Sequence, residues 1–133
     1  MADINQKRIL VVDDEKDVCE ILKVKLEKQG FHVALAYDGT EALIKLLEYR
    51  PQCVLLDIRM SPGDDGLTFL RKVRAYRDED SDIQQLIRKT PVIVMTAASG
   101  QMKPLFQQEG ISGYLEKPYD FNALSEVLLK AVG

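Results

Sequence analysis

Short apolar runs alternate with helix-spaced apolar patterns along the whole of this chain. Continuous runs occupy residues 9–12, 53–56 and 92–95, and weaker strand patterns cover 31–35 and 114–115. A short continuous apolar run is typical of a strand that is covered on both faces of a parallel sheet. Each run is followed by a helical pattern, which predicts five strand–helix units joined by right-handed crossovers. The predicted fold is therefore α/β, a three-layer α/β/α sandwich.

Helix-ending and helix-capping residues separate these strands. Gly30 ends a helical pattern over residues 16–29, and Asp38 with Glu41 has capping-box spacing for a helix that ends before Pro51. The remaining helical patterns cover 67–73, 101–109 and 120–131. A less regular stretch, 77–90, predicts only a short extra helical turn on the surface. Its acidic cluster, which comprises Asp78, Glu79, Asp80 and Asp82, is typical of a solvated loop.

Composition limits the classes of function. The chain has 133 residues, of which 46% are apolar, and a formal net charge of −3. A length of this order fits one domain, and the absence of a basic run argues against direct nucleic-acid binding. Neither a signal peptide nor a membrane-length apolar stretch is present, which predicts a cytoplasmic protein. Cys19 and Cys53 fit buried free thiols, and the single histidine, His32, fits an exposed side chain without a metal.

Four of the runs lead into residues that can handle a phosphoryl group or its metal. Asp13 and Asp14 follow the first run, Asp57 the third, Thr96 the fourth, and Lys117 the last. Because the carboxyl ends of parallel strands share one edge of the sheet, these side chains are expected to converge there. The sequence therefore predicts a site with three carboxylates, one hydroxyl and one ammonium group.

This set of groups favours a particular chemistry. Oxygen ligands without a nearby histidine or cysteine favour Mg²⁺, which keeps several waters and accepts phosphoryl oxygens. An aspartate beside such an ion can act as a nucleophile and form an aspartyl phosphate. Lys117 would add a compact positive charge and Thr96 a hydrogen-bond donor. Each residue taken singly also has an ordinary explanation as a helix cap, a strand residue or a turn.

The combined motifs resemble the receiver domain of two-component response regulators, in the pieces VVDDE, LLDIRM followed by DG, VIVMTA and GYLEKP. The resemblance implies a flavodoxin-like (βα)5 fold with strand order 2-1-3-4-5. It implies a single receiver domain over residues 1–133, with a core of about 8–131 and no output domain in this chain. It also implies a histidine kinase or histidine phosphotransfer protein as the phosphodonor, and an unidentified downstream protein target. A dimer that depends on phosphorylation is a further option.

The resemblance assigns roles at the metal and the phosphoacceptor. It makes Asp57 the phosphoacceptor, and the chain a signalling domain that assists only its own phosphorylation and dephosphorylation. Asp14 and Asp57 would bind Mg²⁺, or Mn²⁺ as a substitute, directly. The backbone carbonyl of Arg59 would be a third ligand, and Asp13 would act mainly through water. Side chains at Arg59 and Ala98 would tune the lifetime of the phosphate.

The resemblance also assigns a switch. Thr96, Ala97 and Lys117 would contact the phosphoryl group, and the bond between Lys117 and Pro118 would be cis. Tyr114 matches the family's switch aromatic. Thr96 and Tyr114 would relay phosphorylation to the face made by the fourth helix, the fifth strand and the fifth helix.

Three departures and three alternatives accompany this interpretation. The loop from Asp57 to Gly66 is about one residue longer than usual, 77–90 lengthens a connection, and Pro104 with Gly100 shortens the fourth helix. A haloacid-dehalogenase-type phosphatase or phosphotransferase uses similar groups but needs a second carboxylate in place of Arg59. A flavodoxin-type flavin binder would be repelled by the acidic first loop. A receiver-like scaffold that is not phosphorylated is the third alternative.

Overall fold

A computed structural model describes residues 7–58, 66–96 and 103–132. The strands are β1 (Arg8–Val12), β2 (His32–Ala36), β3 (Cys53–Asp57), β4 (Val92–Thr96) and β5 (Gly113–Glu116). The helices are α1 (Lys16–Lys28), α2 (Gly39–Tyr49), α3 (Gly66–Arg74), α4 (Ser81–Arg88), α5 (Lys103–Glu109) and α6 (Phe121–Val132). All neighbouring strands pair in parallel, in the order β2-β1-β3-β4-β5. The predicted fold and strand order are confirmed.

The burial of the strands follows their position in the sheet. Every residue of β3 and β4 is buried, as expected for central strands with helices on both faces. In contrast, β2 begins at the exposed His32 and only Val33 and Ala36 of its five residues are buried, which fits its place at the edge of the sheet. The apolar cores lie on the two faces of the sheet. Helices α2, α3, α4 and α5 contribute to one core, and α1 and α6 to the other.

Several predicted helix boundaries are confirmed. The Asp38 carboxylate accepts a hydrogen bond from the Glu41 backbone N–H at 2.7 Å and caps α2. Gly30, just after α1, has a φ of 103°, a conformation that glycine adopts without steric cost. Cys19 and Cys53 are buried free thiols. In the described part of the chain, no helix has the length and apolar character needed to cross a membrane.

The connection between α3 and β4 contains more structure than the sequence predicted. Residues 81–88 form the complete helix α4 rather than a short turn, and Ile87 on this helix is buried. The Asp80 carboxylate accepts hydrogen bonds from the backbone N–H groups of Asp82 and Ile83, at 2.9 and 3.3 Å. Asp78, Glu79 and Asp80 lie in a loop, as predicted, but Asp80 also caps α4 and Asp82 belongs to its first turn. Because α4 is a complete helix, the fourth and fifth helices predicted from the sequence are numbered α5 and α6 in the structure.

Candidate functional site

Four strands deliver the predicted site residues to the carboxyl edge of the sheet. Val12 pairs with Leu56, which places Asp13, after β1, beside Asp57 at the end of β3. Thr96, the last residue of β4, pairs with Glu116, the last residue of β5, so that Lys117 follows at the same level. The register of the sheet thus brings the ends of β1, β3 and β4 together at its carboxyl edge. The residue that follows β5, Lys117, lies at the same edge.

Lys117 joins the two buried carboxylates. Its Nζ lies 3.0 Å from Oδ2 of Asp57 and 3.9 Å from Oδ2 of Asp13. Asp13 and Asp57 are 0% and 4% exposed, whereas the Lys117 side chain keeps 26% of its surface in solvent. Burial alone would lower the pKa of Lys117. The hydrogen bond and charge of Asp57, together with the charge of Asp13, have the larger combined effect, so that the pKa of Lys117 is above its usual value. The ammonium group therefore stays charged beside the two carboxylates.

The Asp13 carboxylate is held in an unfavourable environment. Its Oδ1 accepts a hydrogen bond from the backbone N–H of Glu15 at 2.9 Å. Its Oδ2 is buried, and among the described residues it has no hydrogen-bond partner. Burial, followed by the charge of Asp57, raises the pKa of Asp13 from 3.8 to about 7, although the Glu15 N–H opposes this. A second cation at this edge would relieve the same repulsion.

Thr96 and Asp14 differ in their exposure at this edge. Thr96 is fully buried, and its backbone carbonyl accepts a hydrogen bond from the Lys117 N–H at 2.6 Å. Asp14 is exposed. The structure thus brings Asp13, Asp57 and Lys117 into direct contact, ties Thr96 to Lys117 through the backbone, and leaves Asp14 on the open side.

The start of α3 packs directly against the backbone that carries Asp57. The Gly66 N–H donates to the Ile58 carbonyl at 3.0 Å. A Cβ atom at Gly66 would lie 2.9 Å from Ile58 Cα and 3.1 Å from the Asp57 carbonyl oxygen. Only a glycine therefore permits this close approach without a shift of the backbone. The predictions for Arg59, Ala97 and Ala98 lie outside the described residues.

The groups present fit a hard divalent cation such as Mg²⁺. All candidate ligands are oxygen atoms, and one of them, Oδ2 of Asp13, is buried without a hydrogen-bond partner among the described residues. Within the same residues, no three His, Cys, Asp or Glu side chains form a ready-made metal cluster. Mg²⁺ does not require such a cage, because it usually keeps several waters and takes one or two carboxylates.

Tyr114, the predicted switch residue, is half-buried against the core on the α5 face. Its hydroxyl is buried and has no hydrogen-bond partner among the described residues. The Nζ of Lys103 lies 5.2 Å from the centre of its ring, which is a cation–π distance. Tyr114 therefore connects β5 to the first residue of α5. The bond between Lys117 and Pro118 is cis.

Two neighbours of the site were not predicted. The Tyr119 hydroxyl lies 3.3 Å from the Met95 sulfur, and burial raises the pKa of Tyr119 while Lys117 lowers it. The Cys19 thiol donates to the Asp13 carbonyl at 3.3 Å, and burial raises the pKa of Cys19 to about 12. Neither residue has a sequence signal, because both contacts depend on how α1 and the β5–α6 connection fold over the site.

Comparison with known families identifies this arrangement. The chain matches the response regulator receiver domain over residues 9–129. The chain belongs to this family. Receiver domains are signalling domains that accept a phosphoryl group in two-component systems, bind Mg²⁺, and interact with histidine kinases or phosphotransfer proteins. Membership excludes the haloacid-dehalogenase and flavodoxin alternatives.

Solved structures of similar receivers agree with the fold. The chemotaxis response regulator CheY4 of Vibrio cholerae is 28% identical with a TM-score of 0.80, and the match covers 95% of this chain and 98% of that one. A two-component response regulator from Clostridium difficile is 30% identical, with a TM-score of 0.79 and coverages of 96% and 95%. The response regulator TrrA from Thermotoga maritima, in complex with Mg²⁺ and BeF, is 34% identical, with a TM-score of 0.75 and coverages of 94% and 98%.

Proposed function

We propose that this receiver takes a phosphoryl group on Asp57 from a histidine kinase or a histidine phosphotransfer protein. One observation carries the assignment: the buried Asp57 carboxylate lies at the end of β3 with the Lys117 ammonium 3.0 Å from its Oδ2. A phosphoryl group that forms on this carboxylate therefore meets a fixed positive charge. Such preorganised charge stabilises a transferring phosphoryl group.

Asp57 is a better nucleophile than its neighbour Asp13. The pKa of Asp13 is raised to about 7, so part of this carboxyl is protonated near neutral pH. Asp57 instead lies in direct contact with the Lys117 ammonium, so its carboxylate is positioned for attack beside the charge that a phosphoryl group needs.

The transfer follows from these positions. An Asp57 carboxylate oxygen attacks phosphorus, the bond between phosphorus and the donor nitrogen breaks, and the donor imidazole leaves with the electron pair. Lys117 neutralises charge on the phosphoryl oxygens, and the Thr96 hydroxyl and the backbone at Ala97 donate hydrogen bonds to them. Bound Mg²⁺, or Mn²⁺ in its place, would supply further positive charge to these oxygens.

The metal would be held by residues of the same edge. We assign direct contacts to Asp14 and Asp57 and to the backbone carbonyl of Arg59, with Asp13 acting through water. The exposure of Asp14 leaves room for the waters that Mg²⁺ keeps, and the Oδ2 of Asp13, which has no hydrogen-bond partner among the described residues, can accept a hydrogen bond from one of them. The chain is a signalling domain that assists only its own phosphorylation and dephosphorylation. Side chains at Arg59 and Ala98 tune how long the phosphate lasts.

A relay from Thr96 to Tyr114 completes the proposal. A phosphoryl group gives Thr96 a new acceptor, which draws the end of β4 toward the site. Tyr114, which contacts Lys103 at the start of α5, then changes its packing and remodels the face made by α5, β5 and α6. Phosphorylation thereby favours one of two arrangements through contacts that only one of them makes. The downstream target binds this face, and dimerisation of the phosphorylated form and a cytoplasmic location stay predictions.

The first experiment measures intact mass after incubation with acetyl phosphate and Mg²⁺. We expect a Mg²⁺-dependent gain of one phosphoryl group in the wild type and none in Asp57→Asn. Glu116→Gln is the matched control, because Glu116 is an exposed carboxylate at the same edge and should leave the gain unchanged. No gain in a folded wild type would support the scaffold alternative. A persistent gain in Asp57→Asn would move the phosphoacceptor to another residue.

The relay has its own test. Tyr114→Ala should accept the phosphoryl group at the wild-type level but lose the phosphorylation-dependent change at the α5-β5-α6 face, measured by amide chemical shifts with and without BeF. Tyr114→Phe removes only the hydroxyl and separates its role from that of the ring. Unaltered shift changes in Tyr114→Ala would contradict the relay.

A further inference from the structure

A groove opens at the amino edge of the sheet, at the opposite end of the strands from Asp57. It has a volume of about 520 Å³ and lies between α4 and the residues that precede or open β1, β3 and β4. Pro51 and Pro91, which precede β3 and β4, are part of its lining. The five-residue strands separate this groove from the phosphoacceptor edge by about 17 Å. Both places can therefore be occupied at the same time.

Helix α4 contributes an exposed apolar side chain to the wall of the groove. Ile87 is buried in the core below α4, whereas its neighbour Leu86 is 52% exposed and lines the groove. Leu86, Pro51 and Pro91 thus give the groove an apolar lining. A lining of this kind can accept an apolar side chain of a partner.

The rim of the groove is cationic, although the chain as a whole carries a net charge of −3. Arg8, Arg50 and Lys89 line the groove, against the single carboxylate of Asp82. Lys89 is exposed, and its ammonium makes no hydrogen bond or ion pair with any described residue. The local charge is therefore opposite to that of the whole molecule and complements an acidic partner.

The backbone at this rim is fixed in an unusual conformation. Arg50 ends α2 with a φ of 51°, a left-handed conformation that favours glycine and is sterically unfavourable for arginine. The Arg8 guanidinium holds this backbone by donating to the carbonyls of Tyr49 at 3.0 Å and Arg50 at 2.7 Å. A left-handed residue is a common way to end a helix, and here it fixes the place at which the Arg50 side chain leaves the backbone.

We propose that this groove docks an acidic linear segment of a partner protein, with a bulky apolar side chain between Leu86 and the prolines and carboxylates on Arg50 and Lys89. The apolar lining and the cationic rim together favour such a peptide over a purely anionic ligand. A peptide bound here leaves the phosphoacceptor edge open. The groove thus holds a partner whether or not Asp57 is phosphorylated.

The groove also borders a junction that reaches α5. The Arg74 guanidinium, on α3, donates to the carbonyls of Arg88 and Thr90 at the end of α4, both at 2.8 Å. The same guanidinium donates to the carbonyls of Glu109 and Gly110 at the end of α5, at 3.1 and 2.7 Å. Thr90 itself lines the groove. The docked segment therefore contacts a wall that is tied to the helix on the output face.

A peptide-display selection tests the proposal. Random 15-residue peptides are selected on the wild-type protein and counter-selected on Arg50→Glu/Lys89→Glu. The matched control is Lys72→Glu/Lys130→Glu, which makes the same charge change at exposed positions outside the groove. The far-UV circular dichroism spectrum should be the same in all three proteins, which shows that the variants are folded.

We expect enriched peptides to carry Asp or Glu beside a bulky apolar residue. They should bind Arg50→Glu/Lys89→Glu at least tenfold more weakly than the control and shift the amide signals of residues 85–89. Failure to enrich peptides, or equal binding to both double variants, would overturn the proposal. Sedimentation velocity covers the competing occupant: a wild-type dimer that Arg50→Glu/Lys89→Glu abolishes would assign the groove to a second copy of the chain and also overturn it.

Discussion

Replacing Asp13 by asparagine should stabilise the protein when no metal is bound. The pKa of Asp13 is raised from 3.8 to about 7, so the folded state holds this proton more tightly than the unfolded state. A carboxyl group with a raised pKa in the folded state contributes its full stabilisation at pH values below its pKa in the unfolded state. This stabilisation is lost as the pH rises through the pKa of the folded state. At pH 8 the charged carboxylate therefore destabilises the folded protein.

The magnitude follows from the shift. A change from 3.8 to about 7 corresponds to at most about 4 kcal/mol at 1.36 kcal/mol per unit. The neutral asparagine side chain would lose the attraction to Lys117, whose Nζ lies 3.9 Å from Oδ2 of Asp13, and neighbouring groups adjust their own protonation. We therefore expect Asp13→Asn to raise the free energy of unfolding by about 1–3 kcal/mol at pH 8. The asparagine oxygen still accepts from the Glu15 N–H.

Urea unfolding at several pH values between 4 and 8, in the presence of EDTA, measures this effect. The difference between Asp13→Asn and wild type should be near zero at pH 4 and should grow up to about pH 7 to 8. Asp14→Asn is the control, because Asp14 is exposed and its replacement should change stability by less than about 0.5 kcal/mol. Saturating Mg²⁺ should shrink the Asp13→Asn advantage. A difference that is constant over this pH range, or a less stable variant, would refute the reasoning.

Three further predictions concern the structure around the site and the groove. Gly66→Ala should lower the free energy of unfolding by about 1–3 kcal/mol and slow phosphorylation by acetyl phosphate, because the added Cβ would press on Ile58. Urea unfolding measures the first effect, and intact mass over time measures the second. Arg74→Ala should lower the free energy of unfolding in urea by about 2–3 kcal/mol, because it removes the hydrogen bonds to the ends of α4 and α5. Arg71→Ala, which breaks an exposed ion pair of 3.0 Å, should lower it by less than about 1 kcal/mol. Equal losses would contradict the stabilising role of the Arg74 hydrogen bonds. Arg50→Gly should raise the free energy of unfolding by about 0.5–1 kcal/mol, because glycine adopts the left-handed conformation without strain, and it should weaken the binding of a selected peptide. A less stable variant would contradict the backbone strain at Arg50.

The sequence predicted the strand framework well because the signals there are local and strong. Residues 53–56 and 92–95 are continuously apolar, and this pattern has few interpretations other than a buried parallel strand. The sheet order then decides which strand ends meet, and this brought Asp13, Asp57 and Lys117 together as predicted. Topology, more than any single motif, made the contact between these residues predictable.

The parts that could not be predicted depend on tertiary contacts. The sequence placed the acidic residues at 78–82 in a solvated loop and did not show that Asp80 also caps a helix, because a cap can be recognised only when the helix after it is recognised. The hydrogen bonds of Arg74 exist only because the ends of α4 and α5 approach each other on the surface of α3. The buried Asp13 Oδ2 likewise results from packing, which residue type and spacing do not encode.

The location of α4 has a consequence for how this receiver can diversify. The helix lies in the crossover between β3 and β4, and these two strands pair in register from Val54 with Val92 to Asp57 with Met95. Lengthening a connection costs mainly loop-closure entropy, about 0.6 kcal/mol for each doubling of its length. New segments can therefore be grafted here without disturbing the residues at the other end of the strands. Recognition can evolve at one end of the sheet while the chemistry at the other end is retained.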